Sequence, residues 1–387
     1  MHSSTRILSI AGALFGLSLC TPVNTQSATV TKLTKLTDDA GRVDWSERLN
    51  LIAFDRRFGS EYYDVATMRP DGSGMKCLTC DRSELPPRHK GNPSWHPSGD
   101  FIIFQAEKDL DLSQGQSGRR RGRLGGGRRG SRKVEQLEKL VDFVAAPGAG
   151  FRNDLWLMNR DGTRYWKLHE SSPRGGGVLH PHFNSRGDKV FWAERVSNGD
   201  GHFGLWVMKV ADFVGGSRDP RLNNIRTLTP GQKRRFYESH GFSPDGSKII
   251  FTADPERTDR QLALDIYTYD LNSNRLTNLT DSPDAWDEHA HFSPSGKKIV
   301  WMSSEGTPLP DKPGDVKCEW WMMDADGSNK QRLTGFNSPG NPEFEPGGAC
   351  AADLAWSPDG RSIMGYLILE AKTRRGKIVR LDFDRAY

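Results

Sequence analysis

HGFSPDGSKIIF (240–251) recurs along the chain with little variation. Its copies are DWSERLNLIAF (44–54), PSWHPSGDFIIF (93–104), PHFNSRGDKVFW (181–192), AHFSPSGKKIVW (290–301) and LAWSPDGRSIMG (354–365). Pro suits the second position of a type I turn, Asp or Ser the third, and Gly the positive φ that follows. The apolar run after the turn, Lys248-Ile-Ile-Phe in the quoted copy, predicts a strand buried on both faces. The aromatic ahead of each turn (Trp45, Trp95, Phe183, Phe242, Phe292, Trp356) holds one equivalent position, and packing between neighbouring repeats is expected of it.

A second phrase follows the first: DVATMRPDGSGMKCLT (64–79), DLWLMNRDGTRYWKLH (154–169), LWVMKVAD (205–212), DIYTYDLNSNRLTNLT (265–280) and EWWMMDADGSNKQRLT (319–334). Strand, tight turn and strand succeed one another there. Each unit is then four antiparallel strands, a propeller blade. The sixth unit ends at KIVRLDFDRAY without an outer strand, and TVTKLTKLT (29–37) is the matching segment. Pairing the two chain ends would close the ring and remove its exposed edges. The expected fold is all-β: one six-bladed β-propeller over residues 28–387, closed by its amino-terminal strand.

The S-P-D-G-x-x-I-x-F and D-x-D-G-x-x-x-x-L-T phrases resemble the TolB-like six-bladed propellers over nearly all of residues 28–387. The α/β domain that precedes the propeller in TolB has no expected counterpart, because the first repeat begins near Gly41. Similar propellers precede the hydrolase domains of prolyl-oligopeptidase-type peptidases. No G-x-S-x-G element occurs in this sequence, so that chemistry is not expected of it.

The 387 residues carry 54 basic and 49 acidic side chains, a net +5. Eight of the basic residues fall within SGRRRGRLGGGRRGSRK (117–133), and without them 46 face 49. The charge is thus a property of one insertion, residues 106–152 in blade two. Its low-complexity part is expected to be disordered. KVEQLEKLVDFVAA (133–146) has apolar residues at helical spacing and predicts a short amphipathic helix. The tract Arg119–Lys133 is either a solvated loop or a tether to an anionic polymer. It lacks aromatics, so specific nucleic-acid recognition is not expected.

Residues 1–27 read as a secretory signal, with Arg6 ahead of an apolar stretch from Ile7 to Leu19. A secreted or periplasmic protein without a transmembrane span is expected. Leu19 rather than a small residue precedes Cys20, which argues against lipidation. The remaining cysteines suit an oxidising compartment. Cys318–Cys350 is the preferred pair, with Cys77 and Cys80 paired locally or free.

The residues before each repeated aromatic should ring one mouth of the channel. They are Arg42 and Asp44, Asn92, His180 and His182, Glu238 and His240, Glu288, His289 and His291, and Asp353, with Arg234 and Arg235 just ahead of blade four. His-x-His in a strand places both imidazoles on one face about 7 Å apart, as a shared metal requires. Mn, Zn or Fe would suit His with Glu or Asp; the alternative is a channel that is polar only because it is wet. The site is similar to that of propeller oligogalacturonate lyases. That resemblance implies a metal that acidifies a proton beside a uronate carboxylate, with Arg234 and Arg235 as its clamp. Two functions follow: a binding module for a protein, peptide or glycan, or a metal-dependent polysaccharide lyase or hydrolase.

Overall fold

In a computed structural model, the described residues are 27–108, 147–173, 175–197, 204–216, 219–231, 236–254, 262–371 and 375–387. They form six four-stranded antiparallel sheets. The innermost strands are Ala40–Trp45, Lys90–Trp95, Gly177–Phe183, Tyr237–Phe242, Asp287–Phe292 and Cys350–Trp356. Each touches the next and the last touches the first, which makes the ring.

The ring closes through the chain ends. Val30–Asp38 pairs antiparallel with Arg375–Phe383 and becomes the outer strand of blade six. Both repeated phrases have a physical reading. In the first, Gly246 N–H donates to Ser243 C=O at 2.8 Å and Gly246 has a φ of 70°, the turn that Ser-Pro-Asp-Gly prescribes. In the second, the Thr that ends the phrase donates its hydroxyl to the acidic residue that begins it. Thr79 reaches Asp64 at 2.8 Å, Thr280 reaches Asp265 at 3.0 Å and Thr334 reaches Glu319 at 2.7 Å. The same hydroxyl accepts the backbone N–H of Val65, Ile266 or Trp320, so it satisfies a buried donor of the third strand in each of these blades.

The core lies between blades. Trp45 packs with Ala355, Met364 and Ile378 of blade six, and Trp356 with Val300 and Trp320 of blade five. The repeated aromatics do join neighbouring repeats.

The insertion leaves blade two between Phe101–Glu107 and Asn153–Asn159. Its basic tract and expected helix lie outside the described residues, as does the expected signal segment apart from Ser27; of the insertion, residues 106–108 and 147–152 are described. Among the described residues no helix is long and apolar enough to cross a membrane. Cys77 and Cys80 form a disulfide. The bond expected between Cys318 and Cys350 is not formed. Their backbones are bridged side by side, but both are buried thiols, and Cys350 Sγ donates to Met302 Sδ at 3.6 Å.

Thr334→Val keeps the shape of the outer-strand latch and leaves Glu319 and the Trp320 N–H short of a buried partner. A loss of about 1–3 kcal/mol of stability is expected, read by urea unfolding; an unchanged midpoint would show that the latch is dispensable.

Candidate metal centre in the channel

Every innermost strand is interrupted at the same place. Its pairing with the second strand skips between Ala40 and Val43, Gly91 and Ser94, Leu179 and His182, Ser239 and Gly241, Glu288 and His291, and Ala351 and Leu354. Each is a β-bulge, an extra residue that leaves the ladder and re-aims its neighbours. Asn92, His180 and His289 take left-handed backbone there, with φ of 54°, 49° and 55°. Asn and His tolerate that region better than β-branched residues. In blade four the residue that leaves the ladder is His240, and the positive φ, 115°, falls on Gly241 just after it.

The bulges divide the channel residues into two layers. Asp44, Ser94, His182, Gly241, His291 and Ala355 line a mouth cavity of about 570 Å³, together with the six repeated aromatics. Below it, His180, Glu238, His240 and His289 converge, with one ligand atom from each within 4.8 Å of all the others. His240 belongs to both layers. All four are at most 6% exposed.

The geometry of the lower layer is specific. His180 Nε2 lies 3.2 Å from Glu238 Oε1, close to the ligand–ligand edge of a tetrahedral site with bonds of about 2.1 Å. The rings of His180 and His289 stack at 5.2 Å, and His240 stands 5.7 and 5.4 Å from them. Asp353 Oδ1 is 2.9 Å from His289 Nδ1 and 3.5 Å from His180 Nδ1. Arg42 Nε in turn meets Asp353 Oδ2 at 2.9 Å. His240 Nε2 lies 2.8 Å from Thr252 Oγ1 and 3.2 Å from the His289 backbone nitrogen, while its Nδ1 has no hydrogen-bond partner. The tautomer that donates Nε2–H to Thr252 frees the Nδ1 lone pair for a cation and gives up the His289 N–H as a donor; the tautomer that accepts that N–H carries its proton on Nδ1, so a cation at Nδ1 selects the first.

Burial dominates the ionisation here. It pushes His180 and His240 well below the ordinary imidazole value, His182 to about 4 and His291 to about 3. It raises Glu238 well above the carboxylate range, and the neighbouring Glu288 adds to the rise. Burial opposes the Asp353 anion too, but His180, His289 and Arg42 outweigh it and hold the pKa well below the usual value. Burial thus favours the neutral forms of His180, His240 and Glu238 beside the Asp353 anion, and metal ligation at this donor set requires Glu238 to lose its proton.

The expected residues distribute as follows. Asp44, His182, His240 and His291 reach the mouth cavity. His180, Glu238, His289, Glu288, Asn92 and Asp353 are buried and do not line it. Arg42 also donates its Nε–H to His180 Nε2 at 3.4 Å and lines a separate cavity of about 180 Å³ with Asp55 and Pro147. Arg234 and Arg235 lie outside the described residues. The His-x-His reading needs correction, because the bulge breaks the two-residue period. The close partners are cross-blade pairs, His180 with His289 and His182 with His291 at 5.4 Å. His182 and His291 stand outside the four-residue cluster.

Sequence reasoning missed Asp55, Gln105 and Thr252, which follow the apolar run of three second strands. Asp55 Oδ2 accepts the Asn92 N–H at 2.8 Å, Gln105 Oε1 accepts from Asn92 Nδ2 at 3.4 Å, and Thr252 meets His240. The signal was present: a polar residue breaks each otherwise buried run at one repeat position.

No family model matches the chain. Dipeptidyl-peptidase 5 of Porphyromonas endodontalis is 32% identical over 253 residues, 61% of this chain and 32% of the relative. The chain thus spans about a third of that relative's length. The putative TolB from Agrobacterium tumefaciens superposes with a TM-score of 0.50 at 13% identity, covering 90% of this chain and 96% of the other. An oligogalacturonate lyase in complex with manganese gives 0.47 at 12% identity, covering 92% and 95%. The superposition on the putative TolB, with the six blades described above, makes the chain a TolB-like six-bladed propeller in fold.

His180→Asn should fold as stably as the parent, since Asn92 already holds the equivalent left-handed position. His180→Val should lose about 1–2 kcal/mol more than the Asn variant, measured by thermal unfolding without metal. Equal losses would remove the bulge conformation as the constraint.

Proposed function

We propose that this propeller is a ligand-binding protein whose channel holds a divalent metal on His180, His240, His289 and Glu238. The ligand enters from the mouth cavity and meets the metal beside His240. The observation that carries the reading is the convergence of four buried donors with His240 Nδ1 left unpartnered. A metal bound there would act as a Lewis acid on a carboxylate or carbonyl oxygen. A glycan or peptide acid fits that chemistry and the aromatic-lined mouth.

The surrounding residues have distinct tasks. Asp353 faces the Nδ1 atoms of His180 and His289 and so fixes both rings, as outer-shell carboxylates do around metal sites. Arg42 holds Asp353. Glu288 accepts the indole N–H of Trp286 at 3.0 Å and stands beside Glu238, whose proton it helps retain. Residues 1–27 as an export signal would deliver the protein outside the cytoplasm, where such a ligand is met.

A second reading, a metal-dependent lyase or hydrolase of acidic oligosaccharides, rests on His182. Its Nε2 is buried without a hydrogen-bond partner, and its depressed pKa keeps the ring neutral. A neutral imidazole facing the mouth is a proton acceptor for a bound substrate.

The purified full chain should carry close to one divalent metal, and His240→Ala should lose it. Metal-free protein that keeps its fold and fails to take up Mn, Zn or Fe would end both readings. The ionisation states add a sharper expectation. Burial and Glu288 favour the protonated form of Glu238, while burial favours neutral His180 and His240, so metal binding should release the Glu238 proton to the extent that it is bound. Calorimetry in buffers of different ionisation enthalpy measures that release, and Glu238→Gln should abolish it. Turnover of an oligogalacturonide that vanishes in His182→Ala, with metal retained, selects the enzyme.

A further inference from the structure

We propose a second, soft-metal site formed by Cys318, Cys350 and Met302, independent of the histidine centre. The three residues come from different strand ends. Cys318 precedes the third strand of blade five, Glu319–Asp324; Cys350 opens the innermost strand of blade six; Met302 lies in Lys298–Ser303. Cys318 and Cys350 are backbone-bridged, and both pack with Met302 in one buried cluster. Cys350 Sγ reaches Met302 Sδ at 3.6 Å. Three sulfurs around one ion, each about 2.3 Å from it, stand about 4 Å apart, so the 3.6 Å between Cys350 and Met302 is close to one edge of a trigonal site.

The donor set is sulfur alone. The nearest acidic groups are committed elsewhere: Glu288 to the Trp286 indole, and Asp287 to the Trp301 indole at 3.0 Å and to Ser282. Two thiolates and a thioether select a soft ion, and three coordination favours monovalent copper over zinc, which takes four ligands. Entry is available, because Cys350 lines an open cavity of about 320 Å³ with Lys317 and Ile368. Binding forms two thiolate–copper bonds and one thioether–copper bond. The two thiol protons pass to solvent and no oxidation state changes.

The test uses the full chain, reduced and free of oxygen, titrated with monovalent copper against a chromophoric chelator. One copper per chain should be withheld from the chelator, with the near-ultraviolet absorption of copper–thiolate bonding. Cys318→Ser and Cys350→Ser should each lose both signals. Met302→Leu, which conserves volume, should weaken retention at least tenfold, so the result does not depend on a cysteine variant folding. His240→Ala should leave retention unchanged, which separates this site from the histidine centre. Copper lost with His240→Ala, no copper withheld by folded protein, or a Cys318–Cys350 disulfide in protein recovered from its own compartment would each overturn the proposal.

Discussion

The single extra residue in each innermost strand governs the channel. A regular strand sends alternate side chains to opposite faces, so His180 and His182 would stack on one side. The bulge interrupts that alternation at a repeat position shared by all six blades. It turns His180, His240 and His289 toward one point and leaves His182 and His291 in the layer above. The same irregularity frees backbone donors, and Asp55 takes one of them, the Asn92 N–H. Function and backbone geometry are thus set at one place in the repeat.

Electrostatic compensation makes this arrangement tolerable. Burying several imidazoles and carboxylates together is costly unless they are paired or neutral. The channel uses both routes. Asp353 stays ionised against Arg42 and two imidazoles, while Glu238 keeps its proton beside Glu288. Burial holds His180 and His240 neutral. Each of these states favours metal ligation or supports a group that does.

The repeats were legible because turn chemistry and strand burial are local. Ser-Pro-Asp-Gly sets its own turn, Ile249-Ile-Phe251 its own buried strand, and the terminal Thr its own latch. Ring closure by Val30–Asp38 followed from counting strands. The channel residues were legible as a set, since they fall in the short stretch just ahead of each repeated aromatic. Their arrangement was not, because the left-handed conformation of His180 and His289 leaves no mark in composition. Asn92 and Gly241, near that position in other blades, were the available hint. Of the expected Cys318–Cys350 bond only the proximity holds: the backbones are bridged, both residues are thiols, and the contact of Cys350 with Met302 depends on a strand register that only the fold supplies.

The central claim is that the bulged strands assemble a metal centre in the channel. Anomalous diffraction from crystals grown with Mn tests it most directly. The account predicts one strong peak within bonding distance of His180, His240, His289 and Glu238. A channel without a peak in metal-replete crystals, or a peak bound by the upper histidines His182 and His291 instead, would contradict it.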